Sequence, residues 1–128
     1  MSKTNANELA SLLLEVSRRV DNVLFFTVQL RGGKVTFYKV EFSHFAAKQM
    51  KRIPFNIRET VFLWKKSVEE LGLHKVRQVG GFRDEALKGS RLGQRSIRLN
   101  RAYRLIYDLS EAEEVIVVGV LEVNKHDY

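Results

Sequence analysis

Residues 95–107 have the sequence Arg-Ser-Ile-Arg-Leu-Asn-Arg-Ala-Tyr-Arg-Leu-Ile-Tyr. We interpret 95–99 and 102–108 as two strands of a sheet joined by a short turn. The next apolar segment, 115–123, is interpreted as a third strand. Because this strand is almost entirely apolar, we expect it to be central in the sheet or covered on both faces.

The clearest helix precedes these strands. Apolar residues recur every three or four positions on one face of it: Ile57, Val61, Trp64, Val68 and Leu71. This spacing is typical of an amphipathic helix packed on a core, and it predicts that Trp64 is a core residue. Pro54 suits the first turn of this helix, and Gly72 is placed to end it. Ser43 is a candidate N-cap for a shorter helix before it.

The N-terminal third predicts a hairpin and a further helix. The segments 23–30 and 35–42 are rich in β-branched and aromatic residues, and Gly32-Gly33 between them suits a tight turn. Leucines and valines over 8–20 have helical spacing. The order of helix, two strands, two helices and three strands predicts an α+β fold with an antiparallel sheet and helices on one face.

The charge of the chain is concentrated in one stretch. The 128 residues are enough for one domain and carry 22 Lys and Arg against 15 Asp and Glu, a net charge of +7. Nine basic and only two acidic residues lie within 75–107. Charge runs are usually solvated surfaces, but this clustering favours a surface that faces phosphates. We interpret 73–92 as a loop that carries part of this charge.

Composition also excludes several classes of protein. The chain contains no Cys, so a disulfide framework, a thiolate nucleophile and a Cys-based zinc site are excluded. Three scattered His residues have no ligand spacing, and we expect neither a metal nor a cofactor. No apolar run approaches a membrane span and 1–22 lacks a signal-peptide pattern, so we expect a cytoplasmic protein with no membrane partner.

A family resemblance begins at Glu85. The pattern Leu-Lys-Gly, then Ser-Ile-Arg-Leu and Tyr-Arg-Leu-Ile-Tyr, with a chain end of Lys-His-Asp-Tyr, resembles the RelE/YoeB/HigB superfamily of bacterial type II toxins. The resemblance covers 35–128, as a RelE-like toxin domain, and leaves 1–34 as an N-terminal extension of helix plus strand. It implies a curved antiparallel sheet backed by two helices.

The resemblance also implies an activity. Such toxins are endoribonucleases (mRNA interferases) that cut RNA without a metal, many of them on mRNA at the ribosome. A ribose 2′-hydroxyl attacks the adjacent phosphate, which requires a base, cations on the phosphate and an acid for the leaving oxygen. A cognate antitoxin is implied as the partner, and an acidic, partly disordered segment would suit the basic surface.

Carried onto this sequence, the resemblance implies four catalytic residues. Glu85 matches the carboxylate base of the YoeB-like branch, although an ordinary surface ion pair is equally compatible. Arg104 matches the arginine that holds the scissile phosphate. His126 is the candidate acid, and Tyr128 would stack on a base or orient the phosphate. Asp127 separates these two residues, unlike the His-Tyr ending of the YoeB-like branch, so which of them faces the site stays open.

Four further basic residues are expected to bind RNA: Lys88, Arg91, Arg95 and Arg98. Lys88 matches the lysine of the Leu-Lys-Gly motif and would act as a point charge on a phosphate. An even-length turn between the strands 95–99 and 102–108 would place Arg98 and Arg104 on opposite faces of the sheet. Only one of the two would then reach the substrate.

Two other functions stay open. A ParE-like gyrase inhibitor would need no nuclease chemistry, but that branch generally lacks the carboxylate and the terminal His and Tyr. A non-catalytic RNA-binding module would use the same basic strands, would not need His126, and would lose affinity steeply with salt.

Overall fold

The computed structural model describes residues 29–31, 34–112 and 115–125. Within these ranges, six strands form one sheet of order β1-β2-β6-β5-β4-β3. The strands are β1 (Gln29–Arg31), β2 (Lys34–Phe42), β3 (Glu85–Ala86), β4 (Arg95–Arg98), β5 (Tyr103–Ala112) and β6 (Val115–Lys125). The helices are α1 (His44–Met50), α2 (Phe55–Leu71) and α3 (Leu73–Arg77).

The α+β class predicted from the sequence is confirmed, with one difference in the sheet. Strands β3, β4, β5 and β6 form antiparallel neighbours, as short connections between strands require. Strand β2, however, pairs with β6 in parallel rather than antiparallel orientation. The chain leaves β2 through the helices and re-enters the sheet at β3, and this long crossover permits the parallel pairing.

The core lies between α2 and the sheet. The predicted stripe of α2 is buried throughout, and the Trp64 ring lies 5.4 Å from the ring of Tyr107 on β5. Gly72 ends the helix with a positive φ of 84° and donates its N–H to the Val68 carbonyl at 3.0 Å. Because Trp64 is fully buried, its replacement by Ala would cost about 3–5 kcal/mol of stability.

The predicted N-cap of α1 is confirmed, and the predicted proline lies at the start of α2. The Ser43 hydroxyl accepts a hydrogen bond from the Ala46 N–H at 3.0 Å and donates to the Leu121 carbonyl at 3.1 Å. Ser43 therefore caps α1 and also ties it to β6. Pro54 is the N-cap residue of α2, one position before the first helical turn where the sequence placed it.

The interpretation of 73–92 as a plain loop was wrong. This segment contains α3, two 3-10 turns at Gly80–Phe82 and Gly89–Arg91, and β3. Four apolar side chains at intervals of three residues are buried in it: Leu73, Val76, Val79 and Phe82. The glycines concealed this short period, which suits tight helical turns packed on the core.

Most of the predicted N-terminal extension, 1–34, lies outside the described residues, as do the helix 8–20 and most of the strand 23–30. The described part forms a hairpin, because Gln29 pairs with Thr36 and Arg31 with Lys34 in antiparallel register. In the described ranges, no helix is both long and apolar enough to cross a membrane.

Candidate functional site

The turn between β4 and β5 decides which side chains share a face. Leu99 donates its N–H to the Tyr103 carbonyl at 2.9 Å, and the Asn100 side chain accepts from the N–H groups of Ala102 and Tyr103, both at 2.8 Å. The turn therefore spans the three residues 100–102, and Arg98 lies directly opposite Arg104.

Directly paired residues of an antiparallel ladder project to the same face. The prediction that Arg98 and Arg104 occupy opposite faces was therefore wrong. The sequence interpretation ended the turn before Ala102, whereas Asn100 holds Ala102 within it and makes the number of turn residues odd. Both arginines can consequently serve one surface.

This shared surface is the face of the sheet that points away from the helices. Alternate residues on the other face, including Ile97, Leu105 and Val123, are fully buried in the core. On the open face, β6 contributes Glu122 opposite Ile106 and Asn124 opposite Arg104. The segment 87–94 borders this face and, with the strands, encloses a groove of about 470 Å³. The groove is lined by Glu85, Leu87, Arg91, Ser96, Arg104, Ile106, Glu122, Asn124 and Lys125.

Glu85 and Arg104 meet in this groove. Their closest charged atoms, Glu85 Oε1 and Arg104 Nη1, are 3.8 Å apart. The two side chains differ in exposure, since Arg104 is 14% exposed and Glu85 64%. An ion pair with such an exposed partner contributes at most about 1 kcal/mol, so Glu85 can exchange this contact for a ligand at little cost.

Hydrogen-bond donors on the open face lack partners among the described residues. The Nε atoms of Arg98 and Arg104 and the hydroxyl of Ser96 are buried without a hydrogen bond, and Ser96 is only 2% exposed. Buried polar groups are normally paired, and each unpaired one costs about 1–3 kcal/mol. These donors favour an anionic ligand with several oxygen atoms, such as a phosphate.

The groove also contains a second acidic group that the sequence analysis missed. Glu122 Oε2 lies 2.6 Å from Arg91 Nη2, and Glu122 Oε1 accepts from the Asn124 amide at 2.8 Å. The Arg91 guanidinium also donates to the Gln94 side chain at 3.0 Å. A usable signal was present, because Glu122 and Asn124 are polar residues in alternation at the end of a largely apolar segment.

Arg95 is separated from the groove. It projects to the helix-facing side, where its Nε lies 2.5 Å from Asp84 Oδ1. The Tyr107 hydroxyl donates to the other oxygen of the same carboxylate. Burial alone would lower the pKa of Arg95, but the hydrogen bond and charge of Asp84 outweigh it and raise that pKa. Burial, then the hydrogen bond and charge of Asp84, raises the pKa of Tyr107 far above its ordinary value.

The remaining predicted site residues do not line the groove or lie outside the described residues. Lys88 is exposed at the start of the 3-10 turn Gly89–Arg91 and does not line the groove. His126 and Tyr128 lie outside the described residues. They follow Lys125, the last residue of β6, which lies at the edge of the groove.

Comparison with known proteins places the fold. No protein-family model matches the chain, and neither does any curated protein. Among solved structures, the YoeB/ParE toxin from Agrobacterium tumefaciens is similar, with 17% identity over 70% of this chain and 99% of that one and a TM-score of 0.55.

Two toxin–antitoxin complexes are similar as well. A chain of the YoeB–YefM complex from Staphylococcus aureus is 22% identical over 70% of this chain and 98% of that one, with a TM-score of 0.52. A chain of the archaeal RelE–RelB complex from Pyrococcus horikoshii is 20% identical over 69% of this chain and 93% of that one, with a TM-score of 0.51. The chain therefore has the fold of RelE and YoeB toxins.

Proposed function

We propose that this chain, folded like the RelE and YoeB toxins, is the toxin of a type II toxin–antitoxin system and a metal-independent endoribonuclease acting on mRNA. The observation that carries the proposal is the Glu85–Arg104 pair in a groove of the open sheet face. A carboxylate beside a guanidinium supplies a base and a phosphate ligand within one contact distance.

The proposed reaction is attack of a ribose 2′-hydroxyl on the adjacent phosphorus. Glu85 accepts the proton of the 2′-hydroxyl as the new oxygen–phosphorus bond forms. Arg104 binds the non-bridging phosphate oxygens and offsets the charge that grows on them. The bond from phosphorus to the 5′-oxygen then breaks, and an acid protonates the departing oxygen. The products are a cyclic phosphate and a free 5′-hydroxyl.

His126 is our proposed acid, and Tyr128 is proposed to orient the phosphate or stack on a base. The support for this assignment is the end of β6, which delivers the chain to the groove at Lys125, one residue before His126. Arg98 and Arg91 are proposed to bind flanking phosphates, because Arg98 shares the face of Arg104 and Arg91 lines the groove. Lys88 serves the same role from outside it.

Arg95 has no direct RNA contact in this proposal, although the sequence suggested one. Its guanidinium is committed to Asp84 on the helix-facing side of the sheet. An RNA strand bound on the open face would be separated from it by the sheet itself. The basic residues of the stretch 75–107 therefore divide between two faces rather than forming one phosphate-binding surface.

We also propose a cognate antitoxin as partner and the ribosome as the place of action. Solved structures of similar fold are complexes of RelB with RelE and of YefM with YoeB. An acidic antitoxin segment would compete with RNA for the guanidinium groups of the groove, because carboxylates and phosphates bind arginine by the same forked hydrogen bonds.

The test is cleavage of a defined mRNA in EDTA, with and without ribosomes, with cut sites mapped by primer extension. Arg104→Ala and His126→Gln should strongly reduce the cuts. The matched control is Arg52→Ala, which removes the same charge from an exposed position on the helix side. If the folded wild type arrests growth but cleaves no RNA either with or without ribosomes, the nuclease proposal is wrong. Gyrase supercoiling then becomes the assay to run.

A further inference from the structure

A buried cluster lies directly behind Glu85, on the opposite side of the sheet. The Asp84 side chain, only 2% exposed, receives the Arg95 guanidinium on one carboxylate oxygen and the Tyr107 hydroxyl on the other. The Arg77 Nε lies 4.0 Å from the same carboxylate. We call Asp84, Arg95 and Tyr107 the Asp84 cluster. Its members come from three successive segments of the sheet, so it ties these segments together.

The backbone next to Asp84 has few ladder contacts with the rest of the sheet. Strand β3 contains only Glu85 and Ala86, which pair with Ser96 and Arg95 of β4. Two ladder positions at a sheet edge hold a segment weakly. The preceding residue, Arg83, has a φ of 45°, which is unfavourable for a residue with a side chain. The side-chain bonds of Asp84 add to these two ladder positions and fix the segment to both β4 and β5.

Fixing Asp84 also fixes the direction of its neighbour. Successive side chains of an extended strand point to opposite faces, so a carboxylate held on the helix side sends the next side chain to the groove side. Asp84 directly precedes β3, and Glu85, the first residue of that strand, lies on the groove side and meets Arg104 at 3.8 Å. The Glu85 side chain is largely exposed, and among the described residues its ion pair is this weak contact with Arg104.

We propose that the Asp84 cluster is a positioning device that holds Glu85 beside Arg104 in the groove. Asp84, Arg95 and Tyr107 do not touch RNA in this scheme and act through Glu85 alone. The catalytic consequence rests on the proposed nuclease function. The placement of Glu85 does not rest on the nuclease function, because it follows from the contacts of the Asp84 cluster.

The test uses Asp84→Asn and Tyr107→Phe in the full chain. Tyr107→Phe removes only the hydroxyl donor and keeps the ring packed against Trp64, so it remains informative if Asp84→Asn fails to fold. Glu69→Gln is the matched control. Glu69 is a partly buried carboxylate on α2 that binds Lys65 at 2.9 Å and the Val40 N–H at 3.0 Å, away from the groove.

The first readout is amide hydrogen exchange. Both cluster variants should lose protection at Glu85, Ala86 and Ser96 while the β5–β6 ladder keeps it, and Glu69→Gln should leave β3 unchanged. Unchanged protection at Glu85 and Ala86 in both variants would overturn the proposal. This readout does not depend on RNA cleavage, so it decides the placement of Glu85 even if the wild type has no nuclease activity.

The second readout is single-turnover cleavage with RNA affinity measured in parallel. Asp84→Asn should slow cleavage by about 10²-fold, the scale of a small misplacement of a catalytic group, and change Kd by less than about twofold. In a Glu85→Gln background it should add no further loss, because both changes act through one carboxylate. A loss of equal size in both backgrounds would show a purely structural role and overturn the proposal. A wild type that cuts no RNA would instead refute the proposed function.

Discussion

Arg95 and Arg104 lie on neighbouring strands and differ in the face of the sheet that they occupy. Arg95 faces the helices and hydrogen-bonds to the buried Asp84 at 2.5 Å. Arg104 faces the groove, has an exposed partner at 3.8 Å, and its buried Nε has no hydrogen-bond partner among the described residues. The face of the sheet, rather than the residue type or the local charge density, therefore separates a structural arginine from a candidate ligand-binding one.

The two environments predict opposite consequences of substitution. Removing the partner of a buried charge leaves that charge unsatisfied and destabilises the fold. Removing an arginine whose partner is solvated changes stability little. The following substitutions test this difference between the two faces.

The largest effect is expected on the open face. Arg104→Ala should lower the rate of RNA cleavage by about 10²–10³-fold, the cost of losing one preorganised group at a developing anion. Arg104→Lys should recover only part of that loss, because an ammonium cannot form the forked contact. Single-turnover rates and thermal melts of the same samples would check this. A rate that falls only in proportion to Tm would mean that Arg104 is structural.

The helix-facing arginine should show the reverse pattern. Arg95→Ala leaves the Asp84 carboxylate, 2% exposed, with one strong donor fewer, which should cost about 1–3 kcal/mol of unfolding free energy. RNA affinity should stay near the wild-type value, because the proposed RNA site lies on the opposite face of the sheet. Chemical denaturation and RNA titration measure the two quantities. If Arg95→Ala weakens RNA binding at unchanged stability, the assignment of the faces is wrong.

Tyr107, on the same helix-facing side, should make the folded protein less stable at alkaline pH. The Tyr107 phenol ionises near 10.0 in the unfolded chain but only at higher pH in the folded one, because burial and Asp84 raise its pKa. Stability is therefore retained below pH 10 and falls above it, by about 1.4 kcal/mol per pH unit for one group. Tyr107→Phe should lack this component of the slope. Denaturation at pH 9 to 11 tests this, and parallel slopes for the two proteins would contradict it.

The smallest effect is expected at the rim of the groove. Arg91 already pairs with Glu122, so its substitution by Ala should weaken RNA binding only a few-fold. The substitution should also change the salt dependence of RNA binding. The slope of the logarithm of the binding constant against the logarithm of the salt concentration should decrease in magnitude by about 0.7, the value for one lost phosphate contact with single-stranded RNA. Arg52→Ala serves as the charge-matched control and should leave the slope unchanged.

The sequence predicted the parts of the fold that depend on local periodicity. The stripe of α2, its end at Gly72 and the cap at Ser43 follow from 3.6-residue spacing and backbone stereochemistry, which act over one or two helical turns. The parallel β2–β6 pairing could not be obtained in this way, because it joins strands separated by most of the chain.

The candidate site was predictable only in part. Glu85 and Arg104 were found through a family pattern, and the structure brings them together in one groove. The face of the sheet on which Arg98 lies depended on a single turn residue. The Asn100 side chain holds Ala102 in the turn, which changes the number of turn residues from even to odd. Glu122 was overlooked because it comes from a strand that was interpreted only as core.

The central claim is that the groove cleaves RNA through a 2′-hydroxyl, and one substrate pair tests it directly. The first oligonucleotide contains the mapped cut site in all-ribose form, and the second has a single 2′-deoxy residue on the 5′ side of the scissile phosphate. Both are incubated with wild-type protein in EDTA. We predict cleavage of the first to a cyclic phosphate and a free 5′-hydroxyl, and no cleavage of the second at that position. Equal cleavage of both at the same bond would contradict the account.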